Sequence, residues 1–318
     1  MNAPADAGAA RRDIPPAAPP RGRRRSATAW RREAMLFPYL LLAPAMIVLA
    51  LIFFYPLGHS LWLSFHSLNL NRPWQGTVWV GLENYQEILT DPDFYASLWR
   101  TAYWTVGSLV GELALALAAA LVLNQTFPGR AVARAVILIP WAVPTVLVAI
   151  VFSTMFNTQG IVNELLFKAG LIDGYIPWLS STDWAMPTLI FAHVWKSFPF
   201  LTIMLLAGLQ SIPEQLYEAA SIDGASAWQR FVHVTMPGLG GVLVIAVLLS
   251  VIFSLKGIDF PYIMTSGGPA ESTKVIALDA YYTAFHEYSF GLASAIATVL
   301  TLITALISYA YLRLRGSE

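Results

Sequence analysis

The sequence predicts an all-α integral membrane protein with six transmembrane helices, and three observations carry that prediction. Of 318 residues, 57% are hydrophobic. Only 12% are charged, about half the share found in a soluble domain. The charges are also clustered, leaving six apolar stretches near the length of about 20 residues that crosses a hydrocarbon layer. This composition excludes an ordinary water-soluble enzyme. Lys plus Arg and Asp plus Glu each total 19, so the formal net charge is zero and no overall basic field exists to hold nucleic acid. The absence of Cys excludes disulfides, thiolate metal sites and a cysteine nucleophile. Eleven Trp, 13 Tyr and 17 Phe suit a chain that anchors aromatic rings at two lipid interfaces.

Residues 1–33 are rich in Ala, Pro and Arg with few large apolar side chains, and are expected to form a disordered cytoplasmic tail. The apolar run that follows exceeds the 7 to 15 residues of a secretory leader, so it reads as an uncleaved anchor. Residues 34–318 form the six-span domain. The first span covers 35–63, with no charge between Glu33 and Arg72. The second, 99–124, is apolar apart from Glu112. The third, 135–156, is uncharged but holds Pro140 and Pro144, which kink a helix unless neighbours satisfy the freed carbonyls. Outside the membrane, Ile161, Leu165, Leu166 and Ile172 fall near helical spacing and predict a short surface helix. The fourth span, 184–210, contains Lys196, Pro187 and Pro199; the fifth and sixth are 239–257 and 289–312.

Orientation follows from the cations, which stay on the cytoplasmic side. The tail carries eight Arg. Placing it inside also places Arg130, Arg134, Arg230, Arg313 and Arg315 inside, leaving Arg72, Arg100, Lys168 and Lys274 outside. Both termini are then cytoplasmic.

The cytoplasmic loop 211–238 is punctuated as two short helices. Ser211 and Glu214 have capping-box spacing, Gly224 supplies a left-handed stop, Ser226 and Gln229 have the same box spacing, and Pro237 blocks continuation. Trp228, Phe231, Val232 and Thr235 share one helical face. Ala219, Ala220 and Gly224 leave a surface without bulky side chains, which lets another protein approach closely.

Here the chain resembles a known family. Glu218, Ala219, Ala220, then Gly224, then Val234, Thr235, Met236 and Pro237 after nine residues match the EAA signature of permease subunits of binding-protein-dependent ABC importers. VGLENYQEIL, VILIPWAVPTVLVA, VWKSFPFLTIMLLAGLQSIPEQLYEAASIDGA and TSGGPAEST resemble the first permease of the maltose and glycerol-phosphate branch. Extra spans and a large external domain, found in the maltose permease itself, are missing. The resemblance implies the type I ABC importer permease fold, a bacterial inner-membrane location, and carbohydrate or polyol import. It implies as partners a second homologous permease, two ABC ATPase subunits and an extracytoplasmic solute-binding protein. It implies Glu218, Ala219, Ala220, Asp223, Gly224, Ala225 and Pro237 as the ATPase-coupling residues. No GxxxxGK[ST] loop occurs, so this chain is expected to bind no cofactor, with ATP-Mg held by the partner subunits.

Glu112 and Lys196 are the two charges well inside predicted spans, where an unpaired charge costs about 2.5 to 3.5 kcal/mol. They either line the substrate path or fix helix packing, through an ion pair or through separate hydrogen bonds. Asp259 and Tyr262, where the fifth span meets the outside, join them as path candidates. The segment Asp259 to Glu271 either meets the external binding protein or turns the chain. His193 reads as a packing residue, and the external Trp74, Trp79, Trp178 and Trp184 as interfacial anchors. Two other classes remain as alternatives, a stand-alone secondary carrier and a membrane-embedded enzyme. HExxH and GxSxG are absent, as is an evident inverted repeat of broken, charged spans.

Overall fold

The protein is described by a computed structural model that covers residues 38 and 41–315; the tail expected to be disordered lies outside the described residues. The chain divides into two units, residues 1–57 and 58–318. In the first, the residues from 41 onward belong to helix α1 (Leu41–Leu63). Pro56 cannot donate to the preceding turn, and Ala50–Phe54 widens there into a π-helical stretch. All features described below belong to the second unit.

A two-stranded ribbon, β1 (His66–Ser67) and β2 (Val78–Trp79), pairs His66 with Trp79. Helix α2 (Glu83–Thr90) follows, and Asn84 donates its amide to the carbonyls of Ser64 and His66, pinning the ribbon. Helix α3 (Pro92–Asn124) is 33 residues long. It begins before the expected position 99, because Asp91 accepts the Asp93 N–H and Pro92 occupies the first turn.

Helix α3 is inside out by the standards of a soluble protein. Its buried stripe includes Ser97, Thr101, Thr105, Ser108, Glu112, Ala116 and Ala120, while Val106, Val110 and Val122 are exposed. Small and polar residues inside with aliphatics outside is a stable arrangement only where the surroundings are lipid.

The third span is not the single kinked helix expected over 135–156. It consists of α4 (Arg130–Ala142) and α5 (Thr145–Met155), bent by 88° at Val143 and Pro144. Helix α6 (Ile161–Lys168) lies within the expected external segment. Beyond it come α7 (Ala185–Ser211), α8 (Glu214–Ile222) and α9 (Ala227–Arg230), then α10 (Gly240–Lys256), α11 (Ile276–Phe285) and α12 (Phe290–Arg315). Among the described residues five helices are long and apolar enough to cross a membrane, and the bent pair supplies a sixth crossing if it counts as one span.

Helices α3 and α7 form the central pair. A Cβ on Gly107 would stand 2.7 Å from Ile190, and one on Gly111 would stand 2.8 Å from Val194. The two glycines, four residues apart, therefore let the backbones approach as small residues do in membrane helix pairs. Trp104 on α3 is fully buried against Phe152, Leu189 and Phe260, and its indole donates to the Ser254 carbonyl at 3.0 Å.

The segment between α5 and α7 is organised by Asn163. Its amide donates to the carbonyls of Thr158 and Ile176, and its oxygen accepts from the Ile176 N–H and the Trp178 indole. Asn163→Ala orphans these buried groups at about 1–3 kcal/mol each. The variant is expected to be cut within residues 169–184 by a protease that spares the wild type.

Candidate functional site

Helices α3, α4, α7 and α10, the start of α5 and the chain just beyond α10 line an open cavity of about 360 Å³, with aromatic Trp104, Trp141, Phe253 and Phe260 and polar Thr145, His193, Lys196, Ser197, Lys256 and Asp259 on its walls. A recess of about 60 Å³, lined by Glu112 and Ser250, shares the walls Trp141, Ser197 and Phe253 with it. The bend between α4 and α5 places both Trp141 and Thr145 on this lining.

Glu112 and Lys196 do not pair with each other. Glu112 is 2% exposed; it accepts from Ser250 Oγ at 2.5 Å and meets His193 Nε2 at 3.0 Å. Lys196, 8% exposed, donates to the Trp141 carbonyl at 2.6 Å. That carbonyl would bond the Thr145 N–H if the helix ran on, but the bend removes the donor and Lys196 replaces it, a cation at a helix C-terminus. Of the two open readings, separate hydrogen bonds hold these charges, and both residues also face cavity space.

Asp259 lines the cavity. Tyr262 does not line it; its ring packs edge-on against Tyr281 at 5.2 Å. His193 is the residue that sequence reasoning underrated. It stands edge-on to Phe260, beside Trp104, and reaches Glu112. Its one available signal was a position three residues before Lys196, on the same helical face.

In the loop between α7 and α10 the Ser211 capping box does not form. Ser211 ends α7 and donates to the Gly208 carbonyl, while Pro213 takes the cap position of α8 without a side-chain bond. The second box forms: Ser226 accepts from the Gln229 N–H and the Gln229 side chain accepts from the Ser226 N–H. Gly224 sits at φ +79°. The Ala225 N–H reaches the Ala220 carbonyl and the Gly224 N–H that of Ser221, a Schellman closure. Arg230 then bonds Ser221 Oγ at 2.8 Å and locks α9 onto α8, a brace that the motif did not announce.

Ala220, Asp223, Gly224, Ala225 and Gln229 line one shallow groove. Glu218 and Ala219 are exposed on α8, whereas Pro237 lines a separate groove with Gly240, Gly241 and Tyr311. At the tip, Ile222 is 86% and Trp228 71% exposed. Trp228, Phe231, Val232 and Thr235 do not make the one continuous face expected. The chain widens into a π turn over Phe231–Thr235, which shifts the register and buries Thr235 against Tyr217 Oη.

The loop is tied to the cavity walls. It leaves α7, which carries His193, Lys196 and Ser197, and enters α10, which carries Ser250, Phe253 and Lys256. At its base a Cβ on Gly208 would meet Leu239 and Val242 at 2.9 Å, and one on Gly238 would meet Ile212 at 2.7 Å. The base of the loop is therefore close-packed against the two helices that carry the cavity walls.

Known proteins are similar to this chain. The chain is 38% identical over 280 residues to the trehalose/maltose transport system permease protein of Thermococcus litoralis, covering 87% of this chain and 93% of that one. It is 36% identical over 280 residues to the sulfoquinovosyl glycerol transport system permease protein of Agrobacterium fabrum, covering 88% and 90%. A solved bacterial ABC transporter involved in import of the acidic polysaccharide alginate superposes with a TM-score of 0.77 over 91% of this chain and 99% of that chain, at 20% identity, so the fold is the same. The family model for inner membrane components of binding-protein-dependent transport systems matches residues 112–315, from the buried Glu112 through the exposed loop to the last helix, and the chain belongs to that family.

Proposed function

We propose that this permease admits a carbohydrate or related polyol, and that the cavity walled by Trp104, Trp141, Phe253 and Phe260 is where the solute rests in transit. The cavity is the observation that carries the reading. Its volume lies within the range of small-molecule sites. It offers aromatic faces for sugar C–H groups and, between them, hydroxyl, imidazole and ammonium groups for sugar oxygens. The family membership and the sugar-permease relatives support the same conclusion.

The loop 211–238 supplies the drive. Glu218, Ala219, Ala220, Asp223, Gly224 and Ala225 form the contact with an ATPase subunit, and Pro237 stands at the re-entry to α10. Two ATPase chains holding ATP-Mg, a second homologous permease and an extracytoplasmic solute-binding protein complete the assembly, in the bacterial inner membrane with both termini cytoplasmic. Exposure of Ile222 and Trp228 at the loop tip supports docking, since burial of two large apolar side chains rewards the contact.

The experiment is reconstitution. Trehalose, maltose and glycerol 3-phosphate are offered to vesicles carrying this chain alone, and to vesicles carrying it with its co-purifying subunits. ATP-dependent uptake of at least one by the assembly, and none by the chain alone, is expected. Uptake by the chain alone overturns the reading.

A further inference from the structure

The polar groups lining the cavity divide by whether the protein itself already engages them. Lys196 is held by the Trp141 carbonyl, His193 by Glu112, and the Trp104 indole by the Ser254 carbonyl. Lys256 and Asp259 are different. Both line the cavity, both are exposed, and among the described residues neither side chain has a hydrogen-bond or ion-pair partner. Both also fall within Gly240–Thr265, a stretch apolar enough to cross a membrane, where an ionisable side chain without a partner marks a water-filled path or a ligand site.

The two charges do not pair with each other, although residues three apart on a continuous helix are neighbours. The helix ends between them. Gly257 closes α10 with its N–H on the Ser254 carbonyl and takes an extended ψ of 113°, so Asp259 leaves the helical path that Lys256 completes. One short stretch of chain thus contributes to the lining the rings of Phe253 and Phe260 together with two opposite, unpaired charges. An ammonium only donates and a carboxylate only accepts, whereas the Thr145 and Ser197 hydroxyls on the same lining do either.

We propose that Lys256 and Asp259 are the specificity-determining pair of the cavity, a donor and an acceptor that together hold neighbouring hydroxyls of a neutral sugar or polyol. The inference rests on the cavity being the solute site; it adds which residues read the solute and what charge the solute carries there. One hydroxyl oxygen accepts from Lys256, the adjacent hydroxyl gives its hydrogen to Asp259, and the C–H face lies against an aromatic ring. A carboxylate, sulfonate or phosphate gains at Lys256 but meets a like charge at Asp259, and an amine does the reverse.

The test is uptake by the assembly of whichever of trehalose, maltose and glycerol 3-phosphate the wild type transports. Lys256→Met and Asp259→Ala are each expected to raise KM about tenfold, the contribution of one hydrogen bond to a charged group. The amount of assembled protein is expected to hold, because neither substitution leaves a partner unsatisfied. The direction at Asp259 is decisive: at a site for an anion, removing the carboxylate lowers KM or leaves it unchanged, and either result overturns the proposal. An unchanged KM in Lys256→Met overturns it too, as does a fall in assembled protein, which would assign the charge to a contact with another subunit.

Monodeoxy analogues of the transported solute report the contact directly. Loss of a hydroxyl held by the pair is expected to raise the wild-type KM about tenfold, and to cost nothing further in the variant that lacks its partner. Full additivity for every analogue overturns the claim of contact. If the wild type transports none of the three solutes, the carbohydrate reading fails and this inference with it; wild-type transport with unaltered KM in both variants removes the inference alone.

Discussion

Gly224→Val is expected to abolish uptake and to reduce co-purification of the ATPase chains at least tenfold, while membrane insertion is unchanged. The cause is the backbone. Gly224 holds φ +79°, a left-handed conformation that costs a residue with a Cβ about 1–2 kcal/mol, and more when the residue is β-branched. A Cβ there meets nothing within 4 Å, so no clash inside this chain confuses the result. Losing that conformation breaks the closure of α8 and re-aims Ile222 relative to Trp228. Gly224→Asn provides the control, since Asn tolerates the left-handed region. Uptake in the Asn variant locates the effect in the turn; its loss with the turn intact locates it in a close approach by the docked protein. Glu218→Lys, which reverses an exposed charge on the same helix, is expected to weaken ATPase association without disturbing the fold. Wild-type association and uptake in both Gly224→Val and Glu218→Lys would remove the coupling claim.

The fold was legible wherever the signal is local or compositional. Apolar stretches bounded by charges located the helices, Gly224 located the loop's turn, and the spacing of Ser226 and Gln229 located a cap that forms as expected. What escaped was set by contacts between distant segments. Pro140 and Pro144 announced a disturbance, but not an 88° bend whose opened Trp141 carbonyl takes its donor from another helix. Ser211 had the right neighbour at the right spacing and still failed to cap, because α7 runs on through it and claims its hydroxyl. Gly107 and Gly111 are four apart in an apolar stretch, a spacing that by itself marks a face for close helix packing, but it does not say that α7 is the helix that fills it. At the site, the cost of burying Glu112 and Lys196 marked both as important. Their actual partners, His193 with Ser250 and the Trp141 carbonyl, lie 55 residues or more away in the chain, beyond what periodicity reports.

Lys196→Met is expected to lower the stability of the purified chain by about 1–3 kcal/mol, the cost of leaving a buried carbonyl without its donor, measured by unfolding in lipid or detergent. The Trp141 carbonyl belongs to the last turn before the bend, and the N–H that would serve it in a continuous helix is displaced with α5. Methionine keeps most of the side-chain volume but offers no hydrogen, so the loss measures the bond and not a cavity. Lys196→Gln distinguishes two roles that the native residue combines. If the lysine serves mainly as a donor to the carbonyl, the glutamine amide restores stability and most of the uptake. If the ammonium also meets solute in the cavity, glutamine restores stability while KM stays raised. Unchanged yield, unfolding and uptake in Lys196→Met would make the charge incidental, and the bend would then have to be held by the packing of Trp141 on Phe200 alone.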